Sequence, residues 1–414
     1  MSRNDSISNT KLSKEMHEML VFSKRENHSN NIAGKPKVLV LEIFKRFITN
    51  PVVIISFIIF VLILLTAIIV KSTSPYPSVG AFDSNLPEGE GFSEKEFIPP
   101  LFNKWTETSD TNQIKNIIQM KNGKYKEYLA QFANYEFLNS NGTLIRFNYY
   151  DYFNGNIIFT KLRKAEAEHI TIDQALVDSY IAALPTLKTY FGTNGQGVDV
   201  WTASWVGTFE SIKLALIVAT IEAFIGISIG SYLGFHAGKR IDTIMMRVIE
   251  IFQAPPSIIW LLMFVSLWGT SNNVLILGLL FSGWTWPIGT SRMFIITVKD
   301  EEYIVAAKSI GASTFRQVFL HALPAIIGKL VMNFVRRIPS IILSVASLAF
   351  LGFFETTTTA NLGSFIFKNL DSSDKNIWQL LLPTTILLGI SLSLQFVAIG
   401  LHDALDPRVI KGKN

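Results

Sequence analysis

The chain alternates between long apolar runs and polar stretches. The first run, PVVIISFIIFVLILLTAIIV (Pro51–Val70), is uncharged over twenty residues. At about 1.5 Å rise per residue, a helix of that length crosses the roughly 30 Å hydrocarbon layer of a bilayer. Five more runs of spanning length come after it, at about Leu214–Leu233, Ile251–Trp268, Asn273–Thr290, Ile326–Phe350 and Ile377–Leu401. Six crossings put both chain ends on the same side. The first run begins too far into the chain to be a cleaved signal peptide. Between the first and second runs lie Lys71 to about Lys213, far too many residues for a connection inside a compact domain. They predict a separate unit on the opposite side of the membrane from the termini. Asn122-Gly123, Asn141-Gly142 and Asn154-Gly155 are hairpin signals, and LIRFNYYDYF and NIIFT are rich in aromatic and β-branched residues. The unit therefore reads as α+β, with Phe147, Tyr149, Tyr150, Tyr152 and Phe153 forming its core and ITIDQALVDSYIAALPTLKTY returning to the membrane as a helix.

The pattern divides the chain into an N-terminal tail (1–50), a spanning helix (51–70), the inserted extracytoplasmic α+β unit with its return segment (71–213), a five-helix core (214–402) containing a polar loop (291–325), and a C-terminal tail (403–414). Apart from the insertion, the fold class is an all-α polytopic membrane protein with six transmembrane helices.

Charge fixes the orientation. The first fifty residues carry nine Lys/Arg against five Asp/Glu. Lys239, Arg240 and Arg247 lie in the next loop on that side, Arg292, Lys299, Lys308 and Arg316 in the one after, and Arg408, Lys411 and Lys413 in the tail. Basic residues favour the cytoplasmic side, so both termini and the 291–325 loop are expected there. Composition agrees with a membrane protein: 49% of the 414 residues are hydrophobic and 17% charged. The net charge of +5 serves orientation rather than nucleic-acid binding. The chain has no cysteine, which excludes disulfides, thiolate metal sites and cysteine nucleophiles. Its six histidines are scattered and give no metal-ligand spacing. Neither a G-x-x-x-x-G-K-[ST] phosphate loop nor a G-x-S-x-G elbow occurs. No enzyme activity is expected of this chain.

Three features inside the apolar runs stand out. Glu222 lies mid-way along the second run and Arg336 and Arg337 well inside the fifth, where an unpaired charge costs several kcal/mol. They either line a hydrated path or form a structural Glu–Arg bridge. Gly226, Gly230 and Gly234 recur every four residues, a stripe for close helix packing. Pro255-Pro256 and Pro339 interrupt the helical hydrogen-bond ladder.

The segment EEYIVAAKSIGASTFRQVFLHALP, Glu301–Pro324, is too polar to span and has helical character at its start. Ala306, Ala307 and Gly311 lack bulk, so a partner surface could approach the backbone closely before the chain turns at Gly311. Pro324 suits the first turn of the next helix. This segment resembles the E-A-A-x3-G-x9-I-x-L-P loop of permease subunits of ATP-binding-cassette importers: Ala306, Ala307 and Gly311 match, as do Leu323 and Pro324, while Val305 replaces Glu and His321 replaces Ile. The peptide-importer form, E-Y-V-x-A-A-x3-G-A-S with H-x-L-P, fits Glu302, Tyr303 and His321. FGTNGQGVD (Phe191–Asp199) is similar to that branch's G-T-D-x-x-G-R-D segment, with Asn194 and Val198 departing. Asp242, Met246, Arg247 and Glu250 stand in register with a further stretch of the pattern, and LHDALDPR (Leu401–Arg408) resembles its L-R-D-x-L-D-P-R terminus. The chain thus resembles the oligopeptide/dipeptide permease C family over Phe44–Ser72 and about Tyr190–Arg408.

The resemblance implies a type I ABC importer permease fold in the plasma membrane of a bacterium. It implies a second homologous permease sharing the translocation path, two cytoplasmic ATPase subunits that hold ATP and Mg, and an external peptide-binding protein that delivers cargo. No cofactor is expected in this chain, and no nucleic acid among its partners. Glu302, Tyr303, Ala306, Ala307, Gly311, His321, Leu323 and Pro324 would couple to the ATPases, and Glu222, Arg336 and Arg337 would line the path. Within the class, the cargo could instead be dipeptides, nickel chelates or another small solute. The rival outside it is an ATP-independent channel or secondary transporter, which usually carries inverted repeats that are not found here.

Overall fold

The computed structural model describes residues 45–82, 97–184, 187–351, 360–370, 373–374 and 376–405. The chain divides into two units, the residues through Arg46 and Phe47–Asn414; all the helices and the sheet named in this section belong to the second. Expectations for the tail through residue 44, for the Asp406–Arg408 end of the terminal motif and for residues 409–414 fall outside the described residues.

Helix α1 (Pro51–Thr73) starts where the Asn50 side chain accepts the Val52 amide at 3.1 Å and Pro51 occupies the first turn. It is joined to the next long helix through a Lys71–Glu210 ion pair. Among the described residues, five helical stretches are long and apolar enough to cross a membrane: Pro51–Thr73, Val200–Phe235, Asn272–Val298, Arg316–Ala349 and Trp378–Ala404. A bent pair would make a sixth.

Residues 97–184 form a three-stranded antiparallel sheet and helices with a core of their own. Strands β1 (Trp105–Thr108), β2 (Tyr135–Phe137) and β3 (Ile145–Asn148) lie in the order β1-β3-β2. Helices α2 (Thr111–Asn122), α3 (Tyr149–Ala167) and α4 (Gln174–Ala182) pack with the sheet, and Ile117, Met120, Phe153, Ile158 and Leu162 join Phe147 in the core. Asn141-Gly142 sits in the β2–β3 connection, but Asn122-Gly123 ends α2 and Asn154-Gly155 lies inside α3. The third hairpin signal is overridden because Phe153, Ile157 and Ile158 are buried together on the helix. The aromatic run is core, as expected, but most of it is helical. The Tyr150 hydroxyl donates to the Pro99 carbonyl at 3.0 Å and lies 2.8 Å from Thr189 Oγ1, tying α3 to the segment that returns toward the membrane. Burial pushes the Tyr150 phenol up to about 12.

Helix α5 (Val200–Phe235) runs 36 residues, about 54 Å at 1.5 Å each. It begins well before the expected Leu214, because Ser204, Gly207, Thr208 and Ser211 are buried against the rest of the bundle rather than facing lipid. Its N-cap is Asp199, whose Oδ2 accepts the Thr202 amide at 2.8 Å. Helices α6 (Arg240–Gln253) and α7 (Ser257–Trp268) are bent by 68° at Ala254–Pro256. The expected straight span over Ile251–Trp268 is therefore corrected: the paired prolines break it, and the 12 residues of α7 reach only about 18 Å. Helices α8 (Asn272–Gly283) and α9 (Trp286–Val298) succeed one another as one candidate span, so helix continues past the expected loop start at 291.

Helix α9 packs along α5. A Cβ on Gly226 would overlap Pro287, one on Gly230 would overlap the Ile288 backbone, and one on Gly234 would sit 2.6 Å from the Arg292 carbonyl. The four-residue stripe is a packing surface. The remaining elements are α10 (Glu302–Ser309), α11 (Leu323–Phe350), α12 (Leu362–Lys368) and α13 (Trp378–Leu405). Helix α11 packs on both α5 and α13.

Gly230→Leu should force α5 and α9 apart. We expect at least about 1–3 kcal/mol of destabilisation, read as a lowered unfolding temperature in detergent. Asp199 supplies a pH test. Burial pushes its carboxyl up to about 6 from 3.8, so the folded state favours the protonated acid. That contribution is fully present below pH 3.8 and is lost as pH rises through about 6. Stability should fall by up to about 3 kcal/mol between about pH 4 and pH 7, and Asp199→Asn should flatten the profile.

Candidate translocation and coupling site

Two places bring the sequence-derived residues together. The first is the loop after α9. Helix α10 ends in a Schellman motif: the Ala312 amide donates to the Ala307 carbonyl and the Gly311 amide to the Lys308 carbonyl, each at 3.0 Å, with Gly311 at φ +86°. Gly311 is thus the residue that permits the left-handed turn. Ile304 and Ala307 face inward, Ile304 sharing a small core with Ile295, Ala322, Ile326 and Leu330. The Ala307 side chain is thus buried beneath the helix, while that of Ala306 is exposed. Glu302, Tyr303, Ala306 and Gly311 are exposed, and apolar Ile310 and Phe315 are 86% and 67% exposed. The chain then enters a π-helical turn, Arg316–Ala322, that contains half-buried His321 and leads into Leu323 and Pro324 at the start of α11.

Gln317 is missing from the motif, yet it organises this loop. It is buried, and its side-chain amide donates to the Ala312 carbonyl at 2.6 Å while its backbone amide donates to the Ser313 carbonyl. Its only mark in the sequence is an amide between Arg316 and the apolar Val318-Phe319.

The second place lies among α5, the α8–α9 junction and α11. Arg337 donates from Nε and Nη2 to the two oxygens of Glu222, at 2.6 and 2.8 Å. Glu222 is 1% exposed. The paired partner is Arg337; Arg336, next along the helix, has a buried Nε without a hydrogen-bond partner. Gly283 faces the pair, and a Cβ there would overlap both Glu222 and Arg337. The Arg337 guanidinium also lies 5.6 Å from the Trp286 ring centre. Beside the pair opens a cleft of about 640 Å³ lined by Phe252, Pro256, Trp260, Ser282, Arg337 and Ser344 among others, within the roughly 300–1,000 Å³ range typical of ligand sites.

A second bidentate pair closes the α6–α9 contact. Arg292 donates to Asp242 at 2.6 and 2.7 Å, and Asp242 also accepts the Gly238 amide at 2.9 Å. Asp242 stands in register with a family pattern, whereas Arg292 reads from sequence as a loop charge; the structure places it on α9 as the partner of Asp242. Arg247 pairs with Glu250 within α6. Among the described residues no cluster of three or more His, Cys, Asp or Glu could hold a metal.

Residues 226–411 match the family described as binding-protein-dependent transport system inner membrane component, and residues 39–87 match the N-terminal TM domain of oligopeptide transport permease C. The oligopeptide transport system permease protein OppC of Mycoplasma pneumoniae is 32% identical over 391 residues, covering 92% of this chain and 94% of the relative. The chain belongs to the oligopeptide/dipeptide permease C family. OppC of Mycoplasma genitalium is 32% identical with the same coverage of both chains, and the dipeptide permease DppC of Bacillus subtilis is 29% identical over 242 residues, 58% of this chain and 75% of the relative. As a permease C member the chain is a multi-pass membrane subunit of a peptide ABC transporter, and its five or six candidate spans are consistent with the type I permease fold. The two mycoplasma alignments cover too much of the chain to omit residues 97–184, so this permease and those relatives share the region.

Gln317→Leu should keep the apolar volume but strand the Ala312 carbonyl. We expect faster amide hydrogen exchange across residues 308–316 and a stability loss of about 1–3 kcal/mol.

Proposed function

We propose that the chain is the transmembrane permease subunit of an ATP-driven oligopeptide importer, forming the translocation path with a second permease and coupling to cytoplasmic ATPases through residues 302–324. The carrying observation is the exposed apolar surface of Ile310 and Phe315 at the capped end of α10, in a connection between two candidate spans. Such side chains outside a bilayer call for a protein partner. Glu302, Tyr303, Ala306 and Gly311 frame that surface, and His321, Leu323 and Pro324 connect it to α11, so that a push on α10 is transmitted into a spanning helix. ATP and Mg are held by the partner ATPases. The loop and both termini are cytoplasmic in this reading, in the bacterial plasma membrane, and residues 97–184 lie outside, where they meet the peptide-binding protein. Glu222, Arg336 and Arg337 belong to the path, with the cleft beside Arg337 as its inner wall.

Purification of the intact complex tests the reading: two ATPase subunits and a second permease should accompany the chain. Ile310→Glu should weaken ATPase retention or uncouple hydrolysis from peptide uptake by at least about tenfold, the scale of a lost central interface anchor. A complex that keeps its ATPases with α10 accessible to membrane-impermeant labels from outside would overturn it.

A further inference from the structure

Resting on the importer reading, we infer that Arg337 is the cargo-reading residue of the cleft, taking the C-terminal carboxylate of the peptide on the guanidinium edge that Glu222 leaves free. Arginine offers five N–H donors in a planar fork. Glu222 uses one on Nε and one on Nη2, and among the described residues Nη1 has no hydrogen-bond partner. Three donors are therefore available on a side chain that lines the cleft. Arg337 is the one charged residue among the described residues lining it. Glu222 locks the guanidinium in position without occupying the exposed edge, and Gly283 leaves the pair no room to shift toward the α8–α9 junction. Such a fixed fork suits a planar carboxylate.

The rest of the cleft has the opposite polarity. The hydroxyls of Ser282, Ser344 and Ser347 donate to the carbonyls of Leu279, Ser340 and Leu343 of their own helices, which leaves their oxygens as acceptors for peptide N–H groups. Ser344 and Ser347 lie two and nearly three turns beyond Arg337 on α11. A peptide with its carboxylate on Arg337 would run its backbone toward those serines, past the aromatic wall of Phe252 and Trp260, whose rings stack 5.2 Å apart. The carboxylate end then lies nearer the end of α11 that carries the coupling loop.

The experiment uses the complete importer in liposomes, an oligoalanine peptide with a free C-terminus, and the same peptide as its C-terminal amide. Uptake is measured at receptor saturation for each, with receptor affinity determined separately. We expect the amide to be carried about tenfold more slowly, the scale of one lost charge-assisted hydrogen bond. N-acetylation should change the rate little. Glu222→Gln with Arg337→Gln, which keeps a hydrogen-bonded pair, should bring the acid-to-amide ratio near one. Arg337→Lys should do the same, since its ammonium remains committed to Glu222 without a second edge, and it carries the test if the double variant does not assemble. Equal uptake of acid and amide by the wild type, or a ratio unchanged in an assembled variant, overturns the inference while leaving the importer reading intact. Failure of the wild-type complex to carry either peptide with ATP present overturns the importer reading itself.

Discussion

A carboxylate buried as deeply as that of Glu222 has no water to fall back on, so it needs a cationic partner within the bundle. The Glu222–Arg337 pair meets that demand with two parallel hydrogen bonds, the geometry in which the attraction between such groups best offsets their lost hydration. Much of the surrounding arrangement depends on it. The α8–α9 junction approaches closely because Gly283 presents no side chain to the pair. The cleft opens next to it, and the pair ties α11 to α5 at that point. Removing one partner alone would leave a buried charge, at a cost of about 3–5 kcal/mol.

The same helices are fixed along their length by shape. Dispersion and backbone contact, rather than the hydrophobic effect, hold helices together within lipid, and the glycine stripe of α5 gives α9 that contact from Gly226 to Gly234. At one end of this tightly packed pair the Asp242–Arg292 bridge fastens α6. The Ile304 core beneath α10 includes Ile295 of α9 and Ile326 of α11. A force applied to α10 therefore meets a connected set of rigid elements instead of a loose loop.

How much of this is legible in the sequence depends on which signal each element carries. The helices at Pro51 and Trp378 announce themselves by hydropathy, and the loop motif by residue type and spacing. The first fourteen residues of α5 do not, because small and polar side chains packed against protein look like a linker to a scale calibrated on lipid exposure. Asn154-Gly155 reads locally as a turn, yet tertiary packing keeps it helical, with Gly155 set against Phe132. Hydropathy singles out Glu222 and both arginines but cannot choose between neighbours about 100° apart on one helix; the register of α11 against α5 selects Arg337. Ala307 is legible as a small residue and illegible as an inward-facing one. Gln317 escapes notice because its role lies in a single carbonyl five residues upstream.

Helix α5 is longer than any bilayer requires. Its 36 residues span about 54 Å, and the Tyr150 hydroxyl clamps the chain just upstream of its N-terminus to the α+β region. A rod of that length converts angle into distance: a tilt of about ten degrees about one end sweeps the other through roughly 9 Å. Any rocking of the bundle is thus amplified at the far tip, where the α+β region rides as the load at the end of a crane arm.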